Sequence, residues 1–415
     1  MDEVWDPSER WSDERRAAWQ TEWLRKILTA AARVAPAIRD HLTAGGIDPA
    51  RLSFDALSAL PVLRKDALPG RQRETLPFGG WVGVPVGQLA RVFRSPGPIF
   101  DPEARQDDYW HFAPALYAAG IRQGDLTLNT LSYHLTPAGH MMDAALQAMA
   151  CPVVPAGPGN TDTQVRLLAE LPIAAYIGTP SFLLTLLEAA KQAGSPHGLR
   201  VGFVIAEILP ESLRGRLETE FGVRVSQGYG TADLGSIAFE CSARAGMHVQ
   251  KEVIVDLIDP ETGERCGPGV AGEVVVTALN PTYPLVRFGT GDLAAWADGP
   301  CACGRTSARL ARILGRVGDA VKVRGMFLHP AEVDLAMTRH PEVARYQVIV
   351  TRAEHADAML LRAELRPGVA APPDLAAQIT KTLAEMVRLR GEVDIVPSGT
   401  IAPDAKKIID QRTWT

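Results

Sequence analysis

The sequence predicts an α/β protein: a large N-terminal domain of mixed and parallel sheets with helices, then a small C-terminal α+β domain. Three observations carry this. Between residues 121 and 206, short apolar runs alternate with helical segments, the pattern of a parallel sheet with helices on its faces. From Glu252 to Leu279, two alternating β-runs flank a turn, as in an antiparallel hairpin. After Gly315 the texture changes to short strands and two helices. At 415 residues and 44.7 kDa the chain exceeds one ordinary core. The boundary is expected near Val317–Gly318, giving domains 1–317 and 318–415.

Taken in order, Trp11 to Leu42 reads as one helix, because Trp19, Trp23 and Ile27 recur every four residues on one face. Residues 43–90, which include Leu60-Pro61-Val62-Leu63-Arg64-Lys65, carry no functional signal. Arg91–Pro102 reads as a tight loop after a short strand. Leu126–Asn129, Pro152–Val154, Ala174–Ile177 and Val201–Ile205 read as buried strands. His140–Met149 and Ser181–Ala193 read as helices, the second capped by Thr179-Pro180. Val223–Ser226 is a strand entering a glycine-rich turn, and Val253–Ile258 with Glu273–Thr277 forms the hairpin. The C-terminal unit is predicted as strand 321–323, helix 330–339, strands 347–351 and 359–365, helix 374–389 and strand 392–396.

Composition narrows the function classes. Apolar residues at 46% and charged residues at 22% are ordinary for a globular protein. A net charge of 43 − 48 = −5, with no basic stripe, argues against nucleic acid as a partner. No apolar run reaches the roughly 18 to 20 residues that span a bilayer, so no membrane partner is expected. The start Met1-Asp2-Glu3-Val4-Trp5 lacks a signal-peptide core. Five unevenly spaced cysteines are no disulfide framework, and together these features predict a cytoplasmic enzyme.

Site chemistry concentrates between Tyr283 and Gly325. Arg287-Phe288-Gly289-Thr290-Gly291-Asp292 places a carboxylate directly after a Thr-Gly turn, where it can accept hydrogen bonds from a vicinal diol. Arg316 brings a guanidinium to the same kind of group, and the pair suits a ribose. Any one fragment alone is more often a surface turn; their order sets them apart. Ser95 and Gly97, in Ser95-Pro96-Gly97-Pro98, can present a hydroxyl and backbone N–H to a phosphate, although two prolines remove two donors. A phosphate cradle and a plain turn both remain open there. Tyr133 to His140 follows a strand, at the end where such sheets bind ligands. Cys301-Ala302-Cys303, with Cys241 and His248 upstream, makes a tetrahedral zinc set or a turn with free thiols, and the spacing leaves both open.

The ordered set resembles the AMP-forming adenylating superfamily of acyl-CoA synthetases, adenylation domains and luciferases, and within it the phenylacetate–CoA ligase branch. The resemblance runs from about Arg91 to Arg412. Gln227-Gly228-Tyr229-Gly230-Thr231-Ala232-Asp233 is similar to the family's adenine-binding Tyr-Gly segment, with Asp233 where a magnesium-associated Glu usually stands. Ala206-Glu207 resembles the segment lining the adenine. Arg287–Asp292 and Arg316 match the ribose contacts, and Asp404-Ala405-Lys406 resembles the Asp-Gly-Lys that carries the adenylation lysine. Lys407 is an adjacent rival. Gly318 stands in place of the usual hinge Asp.

The resemblance implies an adenylate-forming N-terminal domain and a mobile C-terminal one. It implies ATP, Mg²⁺ and coenzyme A as cofactors, and a carboxylic acid substrate, aryl or arylacetic, converted through an acyl-adenylate. The implied catalytic residues are Lys406 and Asp233, with nucleotide at Ser95, Gly97, Ala206, Glu207, Tyr229, Gly230, Thr231, Asp292 and Arg316. The acyl group is expected against Tyr133, His134, Ala138, Gly139, Gly178, Thr179 and Pro180, with Tyr133 either stacking on a ring or capping a small polar acid. Similar cysteine and histidine positions in this branch favour structural Zn²⁺ at Cys241, His248, Cys301 and Cys303. Two alternatives stay open: loading of a carrier-protein thiol, and a non-catalytic acyl or nucleotide binder. Assembly as a homodimer is also left open.

Overall fold

The computed structural model describes residues 3–412 except 96, 261, 318–320, 325, 329, 354, 355 and 388. The chain divides into two compact units, Met1–Leu209 with Arg214–Gly315, and Arg316–Thr415 with Pro210–Leu213.

The first unit is built on a 12-stranded sheet. Its parallel half runs Val153–Pro155, Leu126–Asn129, Ile173–Gly178, Val201–Val204, Arg224–Thr231, with helices Ala138–Ala148, Thr161–Glu170 and Pro180–Gln192 in the connections. The strands are nearly continuous apolar runs because both faces are covered: Ala175, Tyr176, Ile177, Val201 and Phe203 are all buried. The sheet then turns antiparallel through Gly235–Glu240, Met247–Val249 and Arg309–Arg316, and continues to Phe288–Trp296, Gly272–Ala278 and Val253–Ile258. The mixed α/β class read from the sequence is the one observed, and the hairpin pairs Val253 with Ala278 through Ile258 with Glu273.

Three local expectations are corrected. The helix read over 11–42 is two, Asp13–Val34 and Pro36–Ala44. Pro36 cannot donate to the turn before it and forces Ala35 into extended backbone (φ −109°, ψ 100°). The 91–102 loop is a β-hairpin, Leu89–Ser95 on Ile99–Ala104. The glycine-rich turn at Gly228–Gly230 is instead strand, because Arg224–Thr231 runs through it and pairs Tyr229 with Ala238.

The second unit holds a four-stranded sheet ordered Glu392–Val396, Ala356–Leu365, Val343–Ala353, Ile408–Asp410. Helix Leu375–Met386 places Leu375, Ile379 and Leu383 on one buried face at four-residue spacing. Each such side chain contributes about 1.5–3 kcal/mol on leaving water.

Candidate active site

Four segments lie at the carboxyl ends of the parallel strands or just beyond. Asn129 and Thr130 follow the apolar part of Leu126–Asn129, Gly178-Thr179 closes Ile173–Gly178, Ala206-Glu207 follows Val201–Val204, and Tyr229 lies near the end of Arg224–Thr231. Crevices outside strand ends are where open α/β sheets bind ligands.

Tyr229 and Asp292, from the two nucleotide motifs, are brought into contact: the phenol donates to Asp292 Oδ2 at 2.9 Å and lies 3.2 Å from Thr290 Oγ1. Asp292 is 8% exposed, and its own N–H donates to Thr290 Oγ1 at 3.1 Å, closing the Thr-Gly-Asp turn on itself. Gly291 N–H donates to Glu273 Oε1 at 3.3 Å, and Glu273 is ion-paired with Arg64. Gly230 and Thr231 continue the strand from Tyr229, half-buried. Gln227 is fixed from behind, since Glu240 accepts from its N–H (3.0 Å) and its side-chain amide (2.8 Å) while held by the buried Arg214. Ala206 takes a left-handed backbone (φ 76°), and Glu207 accepts weakly from Ser181 N–H at 3.4 Å. The adenine-lining expectation therefore sits beside the start of helix Pro180–Gln192. Arg316 is the last residue of strand Arg309–Arg316.

Of the acyl expectations, Tyr133 and Gly139 are in contact. The Tyr133 hydroxyl donates to Asp143 Oδ1 at 2.6 Å and accepts from Asn129 Nδ2 at 2.8 Å. Burial first, and then Asp143, holds this phenol far above its ordinary pKa. With those partners the hydroxyl is spent on the fold, so of the two roles read for Tyr133, capping a polar acid is disfavoured. The ring lies on Gly139, where a Cβ would come within 2.9 Å of it, so glycine is required. Gly178 is required for the same reason: a Cβ there would sit 2.0 Å from Thr130 Oγ1 and 2.3 Å from the Tyr176 hydroxyl. Thr179 Oγ1 accepts from Phe182 N–H at 3.3 Å, capping the helix that Pro180 opens. Ala138 is half-buried at the start of its helix, whereas His134 is exposed.

Ser95 differs from expectation. It is 4% exposed, and its hydroxyl points across its own hairpin, 3.4 Å from Ile99 O. Any phosphate contact from this turn falls to backbone groups such as Gly97, whose φ of 115° only glycine adopts readily.

Asp233 is 2% exposed and its Oδ2 lies 2.5 Å from Lys65 Nζ. Lys65 follows Leu63–Arg64, which pairs in parallel with Phe288 and Gly289 of the ribose run. Sequence reading missed Lys65. The only signal was a short Pro-Val-Leu strand followed by two cations, which carries no chemistry until its partner 168 residues away is known.

Cys241, His248, Cys301 and Cys303 are all buried, with their ligand atoms within 4.8 Å of one another. The Cys241 and Cys301 sulfurs are 3.5 Å apart, and Cys303 Sγ is 3.4 Å from His248 Nε2. Tetrahedral Zn–S bonds of about 2.3 Å place two thiolates about 3.8 Å apart, so the donor set fits zinc. Burial pushes the Cys241 thiol up to about 12 and His248 down to about 4. Arg305 N–H donates to Cys303 Sγ at 3.4 Å, and the Arg305 guanidinium pairs with Glu9 at 2.6 Å, tying the N-terminal turn to the knot.

In the second unit, Lys406 is exposed beside the Asp404-Ala405 turn, and its carbonyl accepts from Gln347 Nε2 at 3.1 Å. Lys407 Nζ is bound by both oxygens of Asp334, at 2.6 and 2.8 Å. Gly318 lies outside the described residues, as do Pro96 and Gly325.

The fold and strand-end site define an AMP-binding enzyme. Residues 108–280 match the AMP-binding enzyme family and residues 325–412 its C-terminal domain. Within that class the chain belongs to the phenylacetate–coenzyme A ligase family. It is 31% identical over 369 residues to phenylacetate-coenzyme A ligase of Thermus thermophilus, covering 85% of this chain and 82% of the relative. It is 28% identical to the ligase of that name from Aromatoleum evansii, over 98% of this chain and 97% of the relative. Among solved structures, 2-hydroxyisobutyryl-CoA ligase with 2-HIB-AMP and CoA superposes with a TM-score of 0.92 at 25% identity, covering 99% of this chain and 93% of that one. Among the described residues, no helix is long and apolar enough to cross a membrane.

Proposed function

We propose that this protein joins a carboxylic acid to coenzyme A at the expense of ATP. A carboxylate oxygen attacks the α-phosphorus and pyrophosphate leaves with the bonding pair, giving the acyl-adenylate. The thiolate sulfur of coenzyme A then attacks the acyl carbon, and AMP leaves with the oxygen that joined the two. The observation that carries this reading is the 2.9 Å hydrogen bond from Tyr229 to Asp292, which joins the two nucleotide motifs.

Roles follow from the placement of each residue. Asp292, oriented by Tyr229, would accept from the ribose hydroxyls, with Arg316 as the second ribose residue. Ala206, Glu207, Tyr229, Gly230 and Thr231 would line the adenine. Two anions meet in the first step, so cationic charge must stabilise the transition state. Lys406 is the lysine assigned to that task, from its place directly after Asp404-Ala405. The family implies Mg²⁺ beside Asp233, but here that carboxylate is already paired with an ammonium, and the residue does not fit as an open metal ligand.

The favoured substrate class is an arylacetic acid. Relatives that match most of the chain include phenylacetate-coenzyme A ligases, and the Tyr133 hydroxyl, held by Asn129 and Asp143, offers no cap for a polar acid. Zn²⁺ would be held by Cys241, His248, Cys301 and Cys303. With all four positions filled it supplies no chemistry and clamps the strand Met247–Val249 to the knot that precedes Arg309–Arg316. ATP–pyrophosphate exchange over a panel of aryl, arylacetic and short hydroxy acids tests the assignment. Phenylacetate should give the highest kcat/KM, and a preference for 2-hydroxy acids would overturn the substrate class. AMP release with coenzyme A as the sole thiol separates it from a carrier-protein acceptor.

A further inference from the structure

A second buried carboxylate lies within the electrostatic reach of Asp233. Asp101, on the strand Ile99–Ala104, is 0% exposed, and neither of its oxygens has a hydrogen-bond partner among the described residues. Asp233 Oδ1 is likewise buried without one. The surrounding groups are held by Gln72, whose side chain bonds both the N–H (2.8 Å) and the carbonyl (2.9 Å) of Phe100 and reaches the Tyr283 hydroxyl at 3.4 Å. Burial, and then the charge of Asp233, pushes Asp101 well above the usual carboxylate range, while the Ser95 hydroxyl and, after it, Lys65 act the other way. Tyr283 is raised by burial and by both aspartates, which places all three within one another's field. Among the described residues, the cation paired with Asp233 is Lys65, its side chain 13% exposed and its Nζ 2.5 Å from Asp233 and 6.0 Å from the Phe288 ring centre.

Paired carboxylates are the donors a divalent ion seeks. A buried carboxylate also needs a counter-charge, and removing one partner of such a pair leaves an uncompensated ion. We propose that Lys65 is the resident counter-cation of the Asp101–Asp233 pair and occupies the place a divalent ion would take there. The chain thus supplies from its own N-terminal segment a positive charge that the family reading assigns to metal. Lys65 is a positioning residue for Asp233 and for the segment that follows Tyr229. This rests on the ligase reading for its meaning but not for its test.

The test uses Mn²⁺ binding to nucleotide-free full-length protein, followed by electron paramagnetic resonance, so no turnover is involved. Wild type should show no Mn²⁺ that Asp233→Asn removes, even at millimolar ion. Lys65→Ala should gain about one Mn²⁺ per chain, and Lys65→Ala/Asp101→Asn should lose it again. Wild type binding one Mn²⁺ that depends on Asp233 would overturn the proposal, as would a folded Lys65→Ala that gains none. Should Lys65→Ala not fold, the wild-type measurement still decides, together with Asp233→Asn, which should lower the wild-type melting temperature equally with EDTA and with Mn²⁺. A melting temperature of wild type that rises with Mn²⁺, but not in Asp233→Asn, would overturn it.

Discussion

Replacing Asp292 by Asn keeps the side chain's shape and leaves a carbonyl oxygen that can still accept from Tyr229, now at 2.9 Å. What it removes is the negative charge and part of the acceptor capacity. An ionised carboxylate offers about four lone-pair sites; the phenol takes one, and the rest serve the residue's other contacts and the ribose. A hydrogen bond to a charged group is worth about 1.5–3 kcal/mol, against about 1 for its neutral counterpart. Every 1.4 kcal/mol is tenfold in affinity, so losing one such bond should weaken AMP about 10- to 150-fold. Calorimetric titration with AMP measures this, with a melting curve to show that the fold is intact. The rank order of acids in the exchange assay should not change, because the acyl segment around Tyr133 lies on different strands. Unchanged AMP affinity in a folded Asp292→Asn would refute the assignment of the ribose to Asp292 and, with it, the registration of the Tyr229–Asp292 pair.

Lys406→Ala should abolish pyrophosphate exchange while thioester formation from preformed acyl-adenylate continues, a loss of about two to three decades in the first step. Lys407→Ala removes a half-exposed pair with Asp334 and should cost about 0–1 kcal/mol of stability with exchange retained; greater loss of exchange than in Lys406→Ala reverses the assignment. Protein purified without added zinc should contain about one zinc per chain, and Cys303→Ser should lose it together with several degrees of melting temperature. Stoichiometry near zero, with four titratable thiols in the folded protein, counts against the site. Tyr133→Phe removes the 2.6 Å bond to Asp143 Oδ1, leaving Asn129 Nδ2 at 3.1 Å as the donor to that oxygen, and should destabilise the fold by about 1–3 kcal/mol in urea without reordering the acid panel. A switch toward polar acids would instead make the hydroxyl a substrate group.

Much of the parallel half was legible because its signals are local. Val201–Val204 is an apolar run buried on both faces, and Thr179-Pro180 is a cap and first-turn pair that needs no tertiary knowledge. The nucleotide motifs were legible as composition, but their contact was not: Tyr229 and Asp292 are 63 residues apart, and only the strand order brings them together. The break at Pro36 was lost under a strong four-residue repeat on either side. Gly228 and Gly230 look like turn residues, yet pairing with Gly235–Glu240 holds them in strand. Lys65 was invisible for a different reason. Its meaning depends on Asp233 and Asp101, two residues on other segments, and on burial that no window around Lys65 reveals.

The central claim is that an acid is activated by attack of its own oxygen on the α-phosphorus of ATP. Phenylacetate labelled with ¹⁸O in its carboxylate, incubated with ATP, coenzyme A and the enzyme, tests it directly. Mass spectrometry should find phenylacetyl-CoA and AMP in equal amounts, with one ¹⁸O in the phosphate of each AMP. Unlabelled AMP, or ADP and inorganic phosphate carrying the label in the phosphate, would contradict the account.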